Sequence, residues 1–73
     1  MPKSIYSKEY RKVVERLKKA REEVKLKQTE VAKKLSRPQS YISKIERGER
    51  RIDITELKKI ADIYKKSFDY FVK

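Results

Sequence analysis

The apolar residues of this chain recur at the spacing of an α-helix, and no segment alternates between apolar and polar residues with a period of two. Between residues 8 and 24 the apolar side chains fall within an arc of about 120° around a helix axis. They are Tyr10, Val13, Val14, Leu17, Ala20 and Val24. Lys and Arg fill the other faces, so this segment is predicted to be an amphipathic helix. The same spacing further along predicts an all-α domain.

Five helices are predicted in one domain at residues 8–73, after a short arm at residues 1–7. The helices are expected at about 8–24, 28–35, 38–47, 53–64 and 67–72. Pro38 fits the first turn of a helix because it lacks the N–H that an interior position needs. Gly48, the one glycine, can adopt the positive φ that ends a helix. The fourth helix is expected to bury one face, formed by Ile54, Leu57, Ile60, Ala61 and Tyr64.

Charge and composition exclude several classes of function. The chain carries 22 Lys and Arg against 11 Asp and Glu, a net charge of +11, which favours a phosphate polymer or an anionic membrane as partner. With no Cys and no His, disulfides, Cys/His zinc sites and histidine acid–base catalysis are excluded. A glycine-rich phosphate loop is also absent. We therefore expect no enzyme activity, no cofactor and no metal.

The apolar segments also bear on location. None approaches the length of a membrane span, and none near the start resembles a signal peptide. We therefore expect a cytoplasmic protein without a membrane partner. Nothing in the sequence indicates a small-molecule effector.

The segment 28–48, QTEVAKKLSRPQSYISKIERG, contains two short helices joined by about three residues. So tight a connection makes the helices cross steeply, as in a helix-turn-helix unit. The second of the two turns Tyr41, Ile42 and Ile45 inward, and its outer face carries polar side chains that can bond to base edges. These are Gln39, Ser40, Ser43, Lys44 and Arg47. No acidic residue is expected on this outer face, because Glu46 turns toward the core.

Residues 28–35 and 39–48 resemble the helix-turn-helix of the Cro and phage-repressor family, and the likeness extends over residues 8–72. It implies a five-helix domain that binds double-stranded DNA and regulates transcription, as a repressor. In this family such a third helix reads bases in the major groove. The resemblance therefore implies base contacts by Pro38, Gln39, Ser40, Ser43 and Lys44. It implies phosphate contacts by Lys27, Gln28, Arg37, Arg47, Arg50 and Arg51.

The resemblance also implies an ion pair between Arg21 and Glu46, which would tie the first helix to the end of the third. The sequence departs from the family at three positions that often carry Gly, namely Lys25, Ser36 and Lys65. Each is expected to need a positive φ, which costs a non-Gly residue roughly 1–2 kcal/mol. Lys27 stands where a Ser or Thr often caps the second helix, so a cap worth about 1 kcal/mol is expected to be missing.

The C-terminal segment carries more apolar side chains than a domain of this size readily buries. Ile63, Tyr70 and Phe71 are therefore predicted to form a homodimer contact. A symmetric dimer would place two reading helices roughly 34 Å apart on DNA and recognise a palindromic operator. Two alternatives stay open: a protein-interaction or antitoxin-like module that reuses the same fold, and a basic RNA-binding domain.

Overall fold

The computed structural model describes residues 7–73 and contains five α-helices. They are α1 (Lys8–Glu23), α2 (Gln28–Lys34), α3 (Gln39–Glu46), α4 (Ile54–Ile63) and α5 (Phe68–Val72). These residues include no β-strand, so the all-α prediction is confirmed. The predicted arm at 1–7 lies outside the described residues except for Ser7.

The helices begin where side chains replace missing backbone partners. Ser7 accepts a hydrogen bond from the N–H of Tyr10 at 3.1 Å, and Asp53 accepts one from the N–H of Glu56 at 2.8 Å. Lys27 has no acceptor to offer at the start of α2. Its own N–H instead donates to the carboxylate of Glu30 at 2.7 Å, so half of a capping box forms.

The first four helices all end in the same motif, with one residue in the left-handed region just beyond the C-cap. Gly48 takes this conformation after α3 at φ 76°. The other three positions are the ones the sequence singled out: Lys25 (59°), Ser36 (58°) and Lys65 (60°). In each case the next residue donates its N–H to a carbonyl one turn back, as in a Schellman motif. The donor and acceptor pairs are Leu26 and Arg21, Arg37 and Ala32, Glu49 and Lys44, and Lys66 and Ala61.

Cap residues account for the difference between the predicted and observed helix ends. Each of the first four helices ends one residue earlier than predicted, because residues 24, 35, 47 and 64 are C-caps. The third, fourth and fifth helices begin one residue later than predicted, because Pro38, Asp53 and Ser67 are N-caps.

One core draws side chains from all five helices. α2 packs on α3, and α1 packs on both α3 and α5, while α5 also contacts α4. The buried apolar residues are Leu17, Ala20, Val31, Ala32, Tyr41, Ile42, Ile45, Leu57, Ile60, Ala61, Tyr64 and Phe71. This packing fixes α3 from behind and leaves its other face toward solvent.

The structure corrects the predicted burial of two residues. Ile54 was expected in the core, but it is 65% exposed. It lies in the first turn of α4, at one edge of the helix face that packs on the core. At its other edge this face extends to Glu56, which is buried. Phe71 was predicted to lie at a dimer surface, but its side chain is fully buried in the core.

Within residues 7–73, no helix is both long and apolar enough to cross a membrane. The same residues contain no group of acidic side chains arranged to hold a metal ion.

Candidate nucleic-acid interface

The outward face of α3 carries most of the side chains predicted to contact bases. Gln39, Ser40 and Lys44 are exposed, and Ser43 is partly buried. Pro38 is exposed as the N-cap of the helix. The opposite face of α3 is locked into the core, so these polar groups project from a fixed helix.

A chain of hydrogen bonds runs from the interior to this face. Glu46 accepts from Arg21 at 2.7 and 3.0 Å, joining the two residues that were expected to pair. Gln28 donates its side-chain amide to the same carboxylate at 2.9 Å, and its carbonyl accepts from Gln39 at 3.1 Å. The amide of Gln39 is thus oriented by three side chains behind it.

The Arg21–Glu46 pair is the buried end of this series of hydrogen bonds. The two side chains are only 13% and 5% exposed, and Arg21 also donates to the carbonyl of Leu26 at 2.9 Å. The hydrogen bond to Glu46 raises the pKa of Arg21 above its ordinary value. Because two helices and a loop share one charge pair, α3 is held at a fixed distance from α1.

Cationic side chains surround this outward face of α3. Those predicted to contact phosphates and found exposed are Lys27, Arg37, Arg47, Arg50 and Arg51. Gln28, the sixth predicted phosphate contact, is partly buried by its bonds to Glu46 and Gln39. The guanidinium of Arg51 lies 5.5 Å from the ring centre of Tyr10, so the loop after α3 is braced against α1.

One expectation about this face is wrong at its C-terminal edge. The surface was predicted to be free of carboxylates, yet Glu49 accepts two hydrogen bonds of 3.1 Å from Arg47. Arg47 also donates to the hydroxyl of Ser43 at 2.9 Å. The pairing raises the pKa of Arg47 and lowers that of Glu49. The left-handed turn at Gly48 brings Glu49 back against α3, a fold-back that helix periodicity alone does not show.

Sequence reasoning also missed the surroundings of Tyr41. The guanidinium carbons of Arg37 and Arg50 each lie 4.8 Å from the centre of its ring. Arg37 donates to Glu56 at 3.0 Å, and this bond raises the pKa of Arg37. Burial raises the pKa of Tyr41. The spacing of Arg37 and Tyr41, four residues apart at the start of a helix, was the one available signal.

The family model described as helix-turn-helix matches residues 17–71, most of the chain. The chain belongs to the helix-turn-helix family of the Cro and phage-repressor type. It is therefore a DNA-binding helix-turn-helix regulator. No curated protein and no solved structure matches it.

The three residues predicted to form the dimer contact differ in how deeply they are buried. Ile63 and Tyr70 are partly buried against the core, whereas Phe71 lies inside it. The backbone carbonyl of Tyr70 accepts from Arg16 at 3.2 Å, and the amine of Lys66 lies 4.6 Å from the centre of its ring. Tyr70 is thus held in place within one chain while part of its side chain stays at the surface.

Proposed function

We propose that this helix-turn-helix protein binds one specific sequence of double-stranded DNA and represses transcription there, with α3 in the major groove. The observation that carries the proposal is the position of Gln39. It is exposed at the start of α3 and oriented through Gln28 by the buried Arg21–Glu46 pair. A side chain held in place before binding loses little freedom on contact. Gln39 is therefore the residue we expect to select adenine by paired hydrogen bonds.

The cations around α3 support the same orientation on DNA. Phosphate contacts position a protein on the duplex, and base contacts specify the sequence. Gln28 uses one amide N–H on Glu46 and keeps a second for a phosphate. Pro38, Ser40, Ser43 and Lys44 would then meet base edges along with Gln39, while the exposed cations flank the groove.

We further propose that the protein acts as a homodimer on a palindromic operator. The partly exposed side chains of Ile63 and Tyr70, together with Val72, which is 48% exposed, form the proposed contact. Phe71 supports this surface from within the core and does not reach the partner. Two-fold symmetry would place the α3 helices roughly 34 Å apart, one turn of DNA.

Selection of bound sites from random duplex DNA tests the proposal directly. We expect one motif, repeated as inverted half-sites about one helical turn apart. If the dimer neutralises 6–10 phosphates, affinity should fall by about 10³–10⁵ between 50 and 200 mM salt. Transcription from a promoter that overlaps the selected site should decrease when the protein is added. No enrichment of any motif, or affinity that does not respond to salt, would contradict the proposal.

Two variants distinguish sequence-specific base contacts from electrostatic attraction to DNA of any sequence. Gln39→Ala should relax the selected motif at one or two base pairs, whereas Arg47→Ala should weaken all sequences alike. Lys12→Ala removes one charge from the exposed side of α1 and serves as the matched control, with motif and affinity unchanged. If Gln39→Ala left the motif intact, α3 would not be reading DNA as proposed.

A further inference from the structure

A cationic cleft lies beside the N-terminal end of α3. Its volume is about 200 Å³, and it is lined by Arg37, Pro38, Ser40, Tyr41, Lys44 and Arg50. Three of these residues are basic and none is acidic. At about 30 Å³ for each water molecule, the cleft has the volume of about six waters, which is more than a phosphate group occupies.

Arg37 and Arg50 reach this cleft from two different loops and meet at one aromatic ring. Each guanidinium carbon lies 4.8 Å from the ring centre of Tyr41, so the two carbons are no farther apart than twice that distance. Cation–π attraction favours both groups in contact with this buried ring. Two like charges within that distance repel each other, and an anion bound to both would offset the repulsion.

The charge in the cleft is only partly compensated by the protein. Glu56, whose side chain is 8% exposed, accepts from Arg37 with one oxygen. The contacts among residues 7–73 give Arg50 and Lys44 no ion pair. Lys44 and Arg50 therefore line the cleft without a paired carboxylate, although the charges of Asp53 and Glu49 act on Arg37 and Lys44 from beyond ion-pair distance. Arg37 spends one N–H on Glu56, and a guanidinium has five, so both arginines keep donors for a further anion.

We propose that this cleft is the binding site for a single phosphate of the DNA backbone, which Arg37 and Arg50 contact jointly. The inference rests on the proposed function, because Ser40 and Lys44 line the cleft and belong to the face expected in the major groove. A phosphate at the edge of that groove then lies beside both residues. Guanidinium groups bind phosphate oxygens through paired N–H bonds, so two of them enclose one phosphate from two sides.

The test replaces single phosphates by uncharged methylphosphonates, one position at a time, in a duplex selected as described above. For the wild-type protein, one position in each half-site should weaken binding by about tenfold, the loss expected when charge-assisted hydrogen bonds are removed. Arg50→Ala should weaken binding to the unmodified duplex by a similar factor. It should then be insensitive to methylphosphonate at that same position.

Arg37 needs a background that keeps the fold intact, because removing it alone takes away the hydrogen bond to the buried carboxylate of Glu56 and leaves only the amine of Lys59 at 4.0 Å. R37A/E56Q is therefore compared with E56Q, which keeps a side chain of the same shape. R37A/E56Q should lose sensitivity at the position that Arg50→Ala identifies, while E56Q retains it. Lys12→Ala should keep both wild-type affinity and wild-type sensitivity.

Three results would contradict the proposal that Arg37 and Arg50 bind one phosphate in this cleft. Loss of sensitivity at two different phosphates would show that the arginines act separately, and sensitivity unchanged in both variants would show that the cleft does not contact DNA. Either result leaves the proposed function standing, since the wild-type protein still binds its site. Failure of the wild-type protein to bind any duplex would refute both the proposed function and the phosphate-binding site.

Discussion

Arg21 and Glu46 lie 25 residues apart in the chain and are joined by two hydrogen bonds in a fork, between Nε and Oε2 and between a terminal guanidinium nitrogen and Oε1. The pair connects the last turn of α1 to the last turn of α3. Gln28 binds the same carboxylate, so the pair also connects the interior to the outward face of α3. Orientation of α3 therefore depends on a charge pair as well as on apolar packing.

Glu46→Ala should lower the free energy of unfolding by about 3–5 kcal/mol, because it leaves Arg21 as a buried charge without its partner. Urea denaturation followed by helical circular dichroism measures this loss. Glu49→Ala is the matched control, since it also removes a Glu that binds an Arg. That pair is exposed to solvent, so its loss should be much smaller. Equal destabilisation by the two variants would contradict the argument.

Helix positions could be predicted from the sequence because the signals are local. Ser7, Pro38 and Gly48 act within their own turns, and each lies where its backbone preference requires. The positive φ at Lys65 followed from the family resemblance, since a Lys gives no local sign of it. The observed helix ends differ from the predicted ones by at most one residue, which is the width of a cap.

Burial at the edges of helices could not be predicted in the same way, because it depends on which neighbour packs there. Ile54 and Glu56 lie at opposite edges of the buried arc of α4, and apolar character alone favoured Ile54. Arg37, a residue of another segment, provides the buried Glu56 with a hydrogen-bond donor. Phe71 was misplaced for a related reason: a count of apolar residues does not show which of them the core accepts.

Glu49→Gln should raise the affinity for duplex DNA of any sequence by about two- to fivefold. The carboxylate competes with phosphates for Arg47 and repels the backbone itself, but exposed ion pairs are weak, so the gain is modest. Fluorescence anisotropy at low salt measures it. Glu15→Gln removes the same charge from the exposed side of α1 and should have a smaller effect. Unchanged or weaker binding by Glu49→Gln would show that Arg47 does not contact DNA.

Lys65→Gly should raise the free energy of unfolding by about 1 kcal/mol. A non-Gly residue in the left-handed region costs roughly 1–2 kcal/mol, and the greater freedom of Gly in the unfolded chain offsets part of the gain. The melting temperature should rise by roughly 4–8 °C. Lys65→Ala removes the same charge but keeps Cβ, so it should bring no such gain. The reverse change, Gly48→Ala, should destabilise the protein by a similar amount.

Stability at alkaline pH should depend on Tyr64, which is buried in the core. Burial, and next the charge of Glu46, raise the pKa of its hydroxyl above the ordinary value, which is about 10 in an unfolded chain. The neutral form is therefore favoured by folding. Stability from this residue is fully present below about pH 10 and declines as the pH rises toward the higher pKa of the folded state, by at most about 1.4 kcal/mol for each pH unit.

Tyr64→Phe keeps the ring and removes the ionisable hydroxyl. The urea midpoint of this variant should therefore fall less steeply than that of the wild-type protein between about pH 10 and 11.5. Loss of charge from the many lysines affects both proteins alike and cancels in the comparison. Below pH 9 the two curves should run parallel. Curves that stay parallel up to pH 11.5 would mean that the Tyr64 hydroxyl titrates in the folded protein as it does in the unfolded chain. Its burial would then not oppose ionisation.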